Sequence, residues 1–358
     1  MGLMLIFPLV LLIVFVYLGL RLATVWYLWP VFFTLTFGIM TFLVRKVFRY
    51  QVYFSYACMG IITYLVVFTL LRDIALITGI DAGKSFIYLS SSVVLIYGVI
   101  NASSGPKVKK VFVPVENLHP SLRDFRIAQI SDLHIGPTIR QKYVTEVVKR
   151  TNNEAPDLIV MTGDIGDGPV KLYRDDVTPL SKLRSKYGTF FVPGNHEYYW
   201  NANEWLSVMN NIGAINLVNR AKVIHHQDAS VLVAGIPDPV SRLSYDLHAL
   251  QDSESAEKAH FRILLSHRPA VIHEASLKGF HLVLAGHTHA GQFFPWTIVV
   301  KFIHKISKGL HRVNSAWIYV NQGTGSWGPL LRVGTNPEIT LLILKESTAF
   351  SQVPFRRA

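Results

Sequence analysis

Two short stretches decide the fold: residues 157–164 read DLIVMTGD, and residues 188–197 read GTFFVPGNHE. In each, an apolar run leads into a glycine and then into a side chain that can bind a cation. Continuous apolar runs of this length, bounded by turn residues, are typical of strands buried on both faces. Similar stretches follow the pattern elsewhere: FRIAQISDLH at 125–134, FRILLSH at 261–267 and FHLVLAGHTH at 280–289.

Strand-like runs recur along the chain after residue 123, with helical or loop segments between them. The predicted strands are 125–131, 157–162, 188–193, 222–226, 230–236, 261–266, 280–285, 316–321 and 338–345. Residues 139–152 place apolar side chains on one helical face and charges on the other, and a second helix is expected around Trp205 and Met209. Alternating strands and helices predict an α/β fold of layered sheets and helices.

The first third of the chain has a different composition. Of 358 residues, 50% are hydrophobic and only 16% charged, and residues 1–105 hold six Lys/Arg, two Asp/Glu and none of the 14 histidines. Apolar runs at 3–20, 22–44, 52–71 and about 86–102 are long enough to cross ~30 Å of hydrocarbon as helices. We therefore expect about four transmembrane helices in residues 1–105, a juxtamembrane linker at 106–122 and a soluble domain at 123–358. Buried core helices are the alternative for the apolar runs.

Basic residues beside the expected spans predict the orientation. They are Arg45, Lys46, Arg49, Lys107, Lys109 and Lys110. With four spans, both clusters lie on the same side, which the positive-inside rule assigns to the cytoplasm. This predicts a multi-pass protein of the cell (inner) membrane whose soluble domain faces the cytoplasm. If the fourth run does not span, that domain faces the opposite side.

Eight polar side chains follow the ends of five predicted strands. They are Asp132, His134, Asp164, Asn195, His196, His267, His287 and His289. The carboxyl ends of strands are where α/β folds bind ligands. Carboxylate, amide and neutral imidazole donors suit Mn²⁺, Fe or Zn²⁺, and the single cysteine, Cys58, lies far from them and excludes a thiolate-rich site. Each motif alone also fits a turn, but their joint order favours a metal centre.

Such a donor set can hold two cations. A pair about 3.5–4 Å apart can hold a hydroxide and stabilise both the attacking and leaving oxygens of phosphoryl transfer. One carboxylate with two oxygens must bridge the pair, and each metal needs roughly three further ligands. Eight convergent residues match that requirement.

The set resembles a known family. Five motifs, in order, are similar to those of the calcineurin-like metallophosphoesterases over about residues 123–345: Asp132-x-His134, Gly163-Asp164, Gly194-Asn195-His196-Glu197, His267 and Gly286-His287-x-His289. The membrane segment and LSHRP at 265–269 resemble the bacterial membrane-anchored branch. The resemblance implies a metallophosphoesterase sandwich, in which two mixed β-sheets pack face to face with flanking helices, at 123–358.

The resemblance also implies roles for the residues. Asp132, His134 and His289 would hold one metal, Asp164 would bridge, and Asn195, His267 and His287 would complete the second site. His196 would contact the phosphoryl oxygen or protonate the leaving group instead of binding metal. Two divalent ions are expected, with Mn²⁺ favoured over Fe or Zn²⁺. The loop Ala290-Gly291-Gln292 departs from the Gly-Gly-Gln of the branch, so no substrate-binding residue is assigned.

Two residues beside the motifs have alternative interpretations. Asp167 could orient a ligand histidine or be a solvated turn residue. Glu197 is interpreted as a charge at a helix N-terminus in preference to a functional acid.

We expect a membrane-anchored phosphoesterase that cleaves a phosphodiester, phosphomonoester or pyrophosphate bond by metal-bound hydroxide attack. The alternative is a metal-binding sensor or scaffold of the same fold without significant turnover. A transporter is disfavoured because residues 1–105 offer few intramembrane charges. The expected partners are a phosphoester substrate and the lipid bilayer. Despite the net charge of +12, no nucleic-acid motif stands out, and no protein partner is predicted.

The segment after the last histidine bears on the substrate. FFPW at 293–296 and IVVKFIHKISK at 298–308 mix aromatic and apolar residues with three lysines. One interpretation is a core segment with a solvated basic face. The other is an amphipathic lip at the membrane surface, which would favour a lipid-linked phosphoester as substrate.

Overall fold

A computed structural model describes residues 2–23, 28–39 and 49–347. The chain divides into two compact units. The first comprises Met1–Ser103 and Gly328–Val333, and the second comprises Ser104–Trp327 and Gly334–Ala358. The main division therefore falls two residues before the boundary expected from composition.

The first unit is helical. Its helices are α1 Gly2–Leu22, α2 Trp29–Gly38, α3 Arg49–Ile77 and α4 Gly83–Ser103. Apolar side chains from all four pack together, among them Leu18, Phe32, Ile62 and Ile87. Helices α1 and α3 are also joined by a polar contact, because the Asp73 carboxylate lies 3.0 Å from Arg21 Nε and accepts a hydrogen bond from Tyr17 at 2.9 Å. Tyr17, Arg21 and Asp73, near the ends of these helices, are thus joined in one polar cluster.

The expectation of four membrane spans needs correction. Among the described residues, only Gln51–Ile77 and Gly83–Ser103 are long and apolar enough to cross a membrane, and Ile6–Leu22 is a shorter apolar helix. The expected span at 22–44 contains only the ten-residue helix α2, and residues 24–27 and 40–48 lie outside the described part of the chain. A ten-residue helix is ~15 Å long, about half of the hydrocarbon thickness. The basic residues Arg45 and Lys46 also lie outside the described residues.

A short distant segment completes the first unit. Gly328–Val333 groups with the helices, although the sequence placed it in the soluble domain. The Arg332 amide donates to the Gly98 carbonyl at 3.0 Å, and the Asn101 side-chain amide donates to the Arg332 carbonyl at 3.0 Å. A side chain at Gly98 would collide with Val333, so the close approach requires glycine there. Nothing in the local sequence pattern signals this packing.

The second unit contains two six-stranded sheets and seven helices among its described residues. The strands are β1 Lys107–Val115, β2 Arg126–Ile130, β3 Leu158–Thr162, β4 Thr189–Val192, β5 Ala214–Asn216, β6 Arg220–His226, β7 Ala229–Gly235, β8 Phe261–Leu265, β9 Leu282–Ala285, β10 Gly309–Val313, β11 Ala316–Val320 and β12 Glu338–Glu346. The helices are α5 Gln141–Asn153, α6 Val170–Val177, α7 Asn195–Tyr199, α8 Ala202–Asn211, α9 Glu254–Glu257, α10 Ile272–Leu277 and α11 Trp296–Ile303.

Both sheets are mixed. The first has the order β1-β12-β2-β3-β4-β5, in which only the β12–β2 pair is antiparallel. The second has the order β10-β11-β9-β8-β7-β6, with antiparallel pairs at its two edges. The carboxyl ends of the parallel strands β2, β3 and β4 therefore share one edge, as do those of β7, β8 and β9. This topology collects the loops that follow these strands.

The main core lies between the two sheets. Val160 and Phe190 of the first sheet share one buried cluster with Val231, Ile263 and Leu284 of the second. On the other face of the second sheet, α10 contributes Ile272 and Ala275 to a separate cluster. The expected α/β sandwich with flanking helices is confirmed for this unit.

The nine predicted strands are all present, and the structure has three further strands that were not predicted. Residues 107–115, assigned to the linker at 106–122, form β1, which pairs in parallel with β12. Its lysines leave the stretch polar, yet Val113 is fully buried and Lys107, Lys109 and Lys110 occupy an edge strand, where charge discourages pairing with other chains. The linker assignment is therefore wrong for most of its length. The short strands β5 and β10 lack a distinct apolar run.

Candidate metal centre

The predicted ligand residues follow the carboxyl ends of strands from both sheets. Asp132 and His134 follow β2, Asp164 follows β3, and Asn195 begins α7 after β4; His267 follows β8, and His287 and His289 follow β9. Three groups of potential ligands result, each with donor atoms within 4.8 Å of one another: Asp132, His134 and His289; His134, Asp164 and His196; and Asp164, His267 and His287. Residues up to 157 positions apart in sequence, Asp132 and His289, are thus brought together.

The first group joins loops of the two sheets. His134 Nε2 lies 3.0 Å from His289 Nε2, and His289 Nε2 lies 3.5 Å from an Asp132 carboxylate oxygen. The backbone amide of His287 donates to both Asp132 oxygens, at 2.9 and 3.0 Å, and Ser131 Oγ donates to one of them at 2.5 Å. These bonds fix the direction in which the buried carboxylate points.

The group of Asp164, His267 and His287 is held by a backbone contact. His267 Nε2 lies 3.1 Å from Asp164 Oδ2 and 3.1 Å from His287 Nδ1. His267 Nδ1 donates to the Thr162 carbonyl at 2.8 Å, which sets the tautomer and turns Nε2 toward Asp164. The same Asp164 oxygen is 3.9 Å from His134 Nε2. Asp164 therefore lies between the two groups, where a bridging carboxylate would have to be.

The side chain of Asn195 carries a buried acceptor atom that receives no hydrogen bond from the described residues. The residue is buried, and its Oδ1 has no hydrogen-bond partner among the described residues. A buried polar atom without a partner costs about 1–3 kcal/mol, so its presence calls for an explanation. A cation bound beside Asp164 would provide the missing partner.

Strained backbone marks the same residues. Asp132, His134, Asp164, His287 and His289 all have positive φ, between 47° and 72°. For residues other than glycine this conformation costs on the order of 1–3 kcal/mol each and clusters at functional sites. The strain turns successive side chains toward a common point.

Two glycines make room for this arrangement. Gly163 has φ +86°, and a Cβ there would lie 2.6 Å from His267 Nδ1. A Cβ at Gly286 would lie 2.1 Å from an Asp132 oxygen. No side chain fits at either position.

The protonation states of two of the predicted ligand histidines suit cation binding. Burial and the nearby His196 lower the pKa of His134 to about 4, while burial and His267 lower the pKa of His287 to about 3. Both imidazoles are therefore neutral, as metal ligands must be. Burial raises the pKa of Asp132 to about 6. Buried carboxylates in such number require positive charge beside them, so the donor set fits a pair of divalent cations.

His196 is held by a different partner. Its Nδ1 lies 2.8 Å from Asp167 Oδ1, which also accepts a bond from the Trp200 indole at 3.1 Å, and its backbone amide donates to Asp164 at 2.8 Å. Burial opposes a charge on the ring, yet Asp164 and Asp167 raise the pKa of His196 to about 9. Asp167 thus positions His196, whereas its distance to His134 Nδ1 is 3.9 Å. Asp167 forms no hydrogen bond with His134 at that distance, so the interpretation in which it orients a ligand histidine is not supported.

Glu197 has a larger role than expected. It lies in the first turn of α7 but is fully buried, and its two oxygens accept three backbone N–H groups, from Gly194 at 2.7 Å and from Asp164 and Gly166 at 2.9 Å each. Burial and the neighbouring Asp164 raise the pKa of Glu197 to about 7, while the amides oppose that shift. The carboxylate therefore joins the loop of Asp164 to the loop of Asn195.

Several residues near the centre were missed from sequence. Buried Asp238 accepts a hydrogen bond from Arg268 Nε at 2.8 Å, and Arg268 directly follows His267 in the sequence. The ring of His304 lies 6.1 Å from that of His287. Asp238 follows β7, so the rule applied to the other strand ends could have found it. His311 bonds the Lys308 carbonyl at 2.9 Å and belongs to none of the three groups.

The loop that departs from the branch pattern has its own fixed shape. Ala290 and Gln292 adopt positive φ, and Gln292 exchanges two hydrogen bonds of 2.8 Å with the Trp327 backbone. The Trp327 ring lies 6.1 Å from the His196 ring, and that of Tyr199 lies 5.4 Å from it. Aromatic side chains thus surround the exposed side of His196.

Comparisons with known proteins identify the family of this chain. The profile of the calcineurin-like phosphoesterase family matches residues 125–291. A "Transmembrane protein with metallophosphoesterase domain" from Danio rerio is 34% identical over 268 residues, covering 72% of this chain and 61% of the relative. An uncharacterized metallophosphoesterase from Aquifex aeolicus is 33% identical, covering 67% of this chain and 92% of the relative.

A solved dimetal phosphatase from Danio rerio is 15% identical to this chain. The structural alignment covers 63% of this chain and the full length of the phosphatase, with a TM-score of 0.36. The chain spans about 61% of the length of the vertebrate transmembrane relatives. The matched profile includes all five motifs, and the bacterial relative is covered over most of its length. This chain belongs to the calcineurin-like metallophosphoesterase family of phosphoester hydrolases.

Proposed function

We propose that the protein hydrolyses a phosphoester at a dinuclear metal centre. Asp132, His134 and His289 would hold one cation, and Asn195, His267 and His287 the other, with Asp164 shared between them. The observation that carries this proposal is the position of Asp164 Oδ2, 3.1 Å from His267 Nε2 and 3.9 Å from His134 Nε2. Two divalent cations supply charge neutralisation for the phosphoryl group and a nucleophile at neutral pH. Mn²⁺ is our first candidate, with Fe or Zn²⁺ as alternatives, since these donors accept all of them.

His196 would act as the proton donor. Asp167 Oδ1 accepts a hydrogen bond from Nδ1–H at 2.8 Å, which fixes the ring and would leave Nε2 to face the substrate. A histidine held in this way can give a proton to the leaving oxygen, a contribution typically worth about 10²- to 10⁴-fold in rate. The ring of Trp327 lies 6.1 Å from that of His196.

Turnover by the full-length protein tests this proposal. We would purify it in detergent, load it with Mn²⁺, Fe²⁺ or Zn²⁺, quantify bound metal, and assay monoesters, diesters and pyrophosphates. We expect two metals per chain and hydrolysis of at least one class. The sensor or scaffold alternative predicts two metals with no turnover of any class. Fewer than two metals under all conditions would contradict the dinuclear centre.

We further propose that the helical unit anchors the protein in the cell (inner) membrane as a multi-pass protein, with the second unit facing the cytoplasm. Two apolar helices of sufficient length and the transmembrane name of the vertebrate relatives support anchoring. Lys107, Lys109 and Lys110 directly after α4 support the orientation. Protease treatment of right-side-out and inverted vesicles tests it: cleavage of the second unit only in inverted vesicles is expected, and the opposite result would reverse the orientation.

A lipid-linked phosphoester is the substrate class we favour. The support is the apolar segment that follows His289, in which Phe302 is 85% exposed. Side-by-side assay of lipid and water-soluble phosphodiesters tests this choice. Turnover confined to the soluble esters would contradict it without affecting the metal centre.

A further inference from the structure

Helix α11 exposes an apolar face to solvent. None of its eight residues is buried. Phe302 is 85% and Ile303 68% exposed, and Trp296, Ile298 and Val299 are also exposed. A surface helix in a soluble domain normally turns such residues toward the core. The core interpretation is therefore wrong for α11, and its apolar face needs another partner.

The apolar residues form one contiguous stripe. At 100° per residue, Ile298 and Phe302 lie one turn apart, as do Val299 and Ile303, and Trp296 completes the same side. Exposed Lys301, Lys305 and Lys308 lie on this helix and in the residues after it, and none of them forms an ion pair among the described residues. We call these eight residues the α11 surface. It combines an aromatic and aliphatic stripe with unpaired positive charge.

We propose that the α11 surface docks onto an anionic lipid bilayer. An interfacial helix has this composition: apolar and aromatic side chains enter the boundary of headgroups and acyl chains, and lysines meet the anionic headgroups. The described part of the chain contains two helices of membrane-spanning length, so a bilayer is the apolar phase available to it. A second copy of the chain fits less well, because two α11 surfaces would bring six lysines together.

The α11 surface is close to the metal centre. The turn His289–Gly291 precedes α11, and a Cβ at Gly291 would lie 2.3 Å from the Trp296 carbonyl. At the other end of the helix, the His304 ring lies 6.1 Å from that of His287. Docking would therefore place the mouth of the metal centre at the headgroup layer. This consequence rests on the proposed phosphoesterase function, whereas docking itself does not.

Site-specific fluorescence in the full-length protein tests the docking. In a Cys58→Ser background, which removes the single cysteine, Phe302→Cys is labelled with an environment-sensitive dye. Leu277→Cys is the matched control, since Leu277 at the end of α10 is 79% exposed but has no neighbouring lysine cluster. Each protein is reconstituted into phosphatidylcholine vesicles with or without phosphatidylglycerol, and quenched by spin-labelled lipid or by aqueous iodide.

We expect quenching by spin-labelled lipid to be at least about threefold stronger at position 302 than at 277, and iodide quenching to be weaker there. Phosphatidylglycerol should increase the difference, and replacing the three lysines by glutamine should remove that increase. Equal quenching of both positions by each agent would overturn the proposal. So would shielding of position 302 from both quenchers with disulfide cross-linking between unlabelled Phe302→Cys chains, which would identify a second copy as the partner.

The readout requires no turnover, so it separates the two proposals. Hydrolysis of soluble and lipid phosphoesters by the same labelled proteins reports on the metal centre. Docking without hydrolysis would contradict only the phosphoesterase proposal, and hydrolysis without docking would contradict only the α11 surface.

Discussion

Replacing Glu197 by glutamine tests how the metal centre is assembled. Glu197 Oε2 accepts the amides of Asp164 and Gly194, and Oε1 accepts that of Gly166. A glutamine has one acceptor oxygen and one NH₂ donor in the same space. If its oxygen takes the Oε2 position, the Gly166 amide faces another donor; if it takes the Oε1 position, two amides do. The first orientation is favoured because it loses fewer bonds.

The magnitude follows from the bonds lost. One buried donor without a partner costs about 1–3 kcal/mol. For a domain of this size, that lowers the melting temperature by roughly 2–12 °C. The loops of Asp164 and Asn195 lose their common support, and loss of a residue that supports metal ligands typically weakens metal affinity about 10- to 100-fold. We therefore expect both a less stable protein and weaker metal binding.

The assay is metal retention under chelator competition, combined with thermal unfolding in detergent. Glu204→Gln is the matched control. Glu204 is an exposed residue of α8, and among the described residues its side chain forms a hydrogen bond with Asn201 alone. We expect Glu204→Gln to behave as the unmodified protein. If Glu197→Gln retained its metals and melting temperature as the control does, the inferred role of the three amides would be refuted.

Three further changes test the centre and the fold. Asp164→Asn should lower both metal content and turnover by at least about 100-fold, since it removes the shared charge; two tightly bound metals in this variant would contradict the bridging role. His196→Ala should lose about 10²- to 10⁴-fold in rate while keeping both metals, and metal analysis showing one metal missing would make it a ligand instead. Burial and nearby Arg262 lower the pKa of His281 to about 4, so the unfolded chain binds a proton that the folded chain excludes as pH falls below 6.5. This makes the folded state less stable by on the order of 2 kcal/mol at pH 5 than at pH 7. His281→Gln should flatten that dependence in urea titrations, and an unchanged slope would exclude His281 as its source.

The strands and the order of the motifs were predictable because their signals are local. Apolar runs such as 157–162 and 280–285 end in turn residues, and each run is followed directly by its polar side chain. Parallel strands then align those ends, so a common site could be expected without coordinates. The family was recognisable for the same reason.

Other features depend on contacts far apart in the chain. β1 is polar by composition and becomes a strand only because β12, more than 200 residues later, offers its edge. Glu197 looks like an ordinary helix-terminal charge, and only the fold brings the Asp164 and Gly166 amides to it. Asp167 could have supported any histidine, and the fold gives it His196.

The sequence by itself determined which side chains are available for chemistry and in what order they leave the strands, because hydrophobic periodicity and strand ends are written in neighbouring residues. Only the tertiary structure decided where amphipathic segments face. The pattern at 298–308 suits a buried helix and an exposed one equally, since burial depends on what packs against the helix. The positive φ values of Asp132, Asp164 and His289 are also decided by the tertiary structure, because the surrounding loops impose them against local preference.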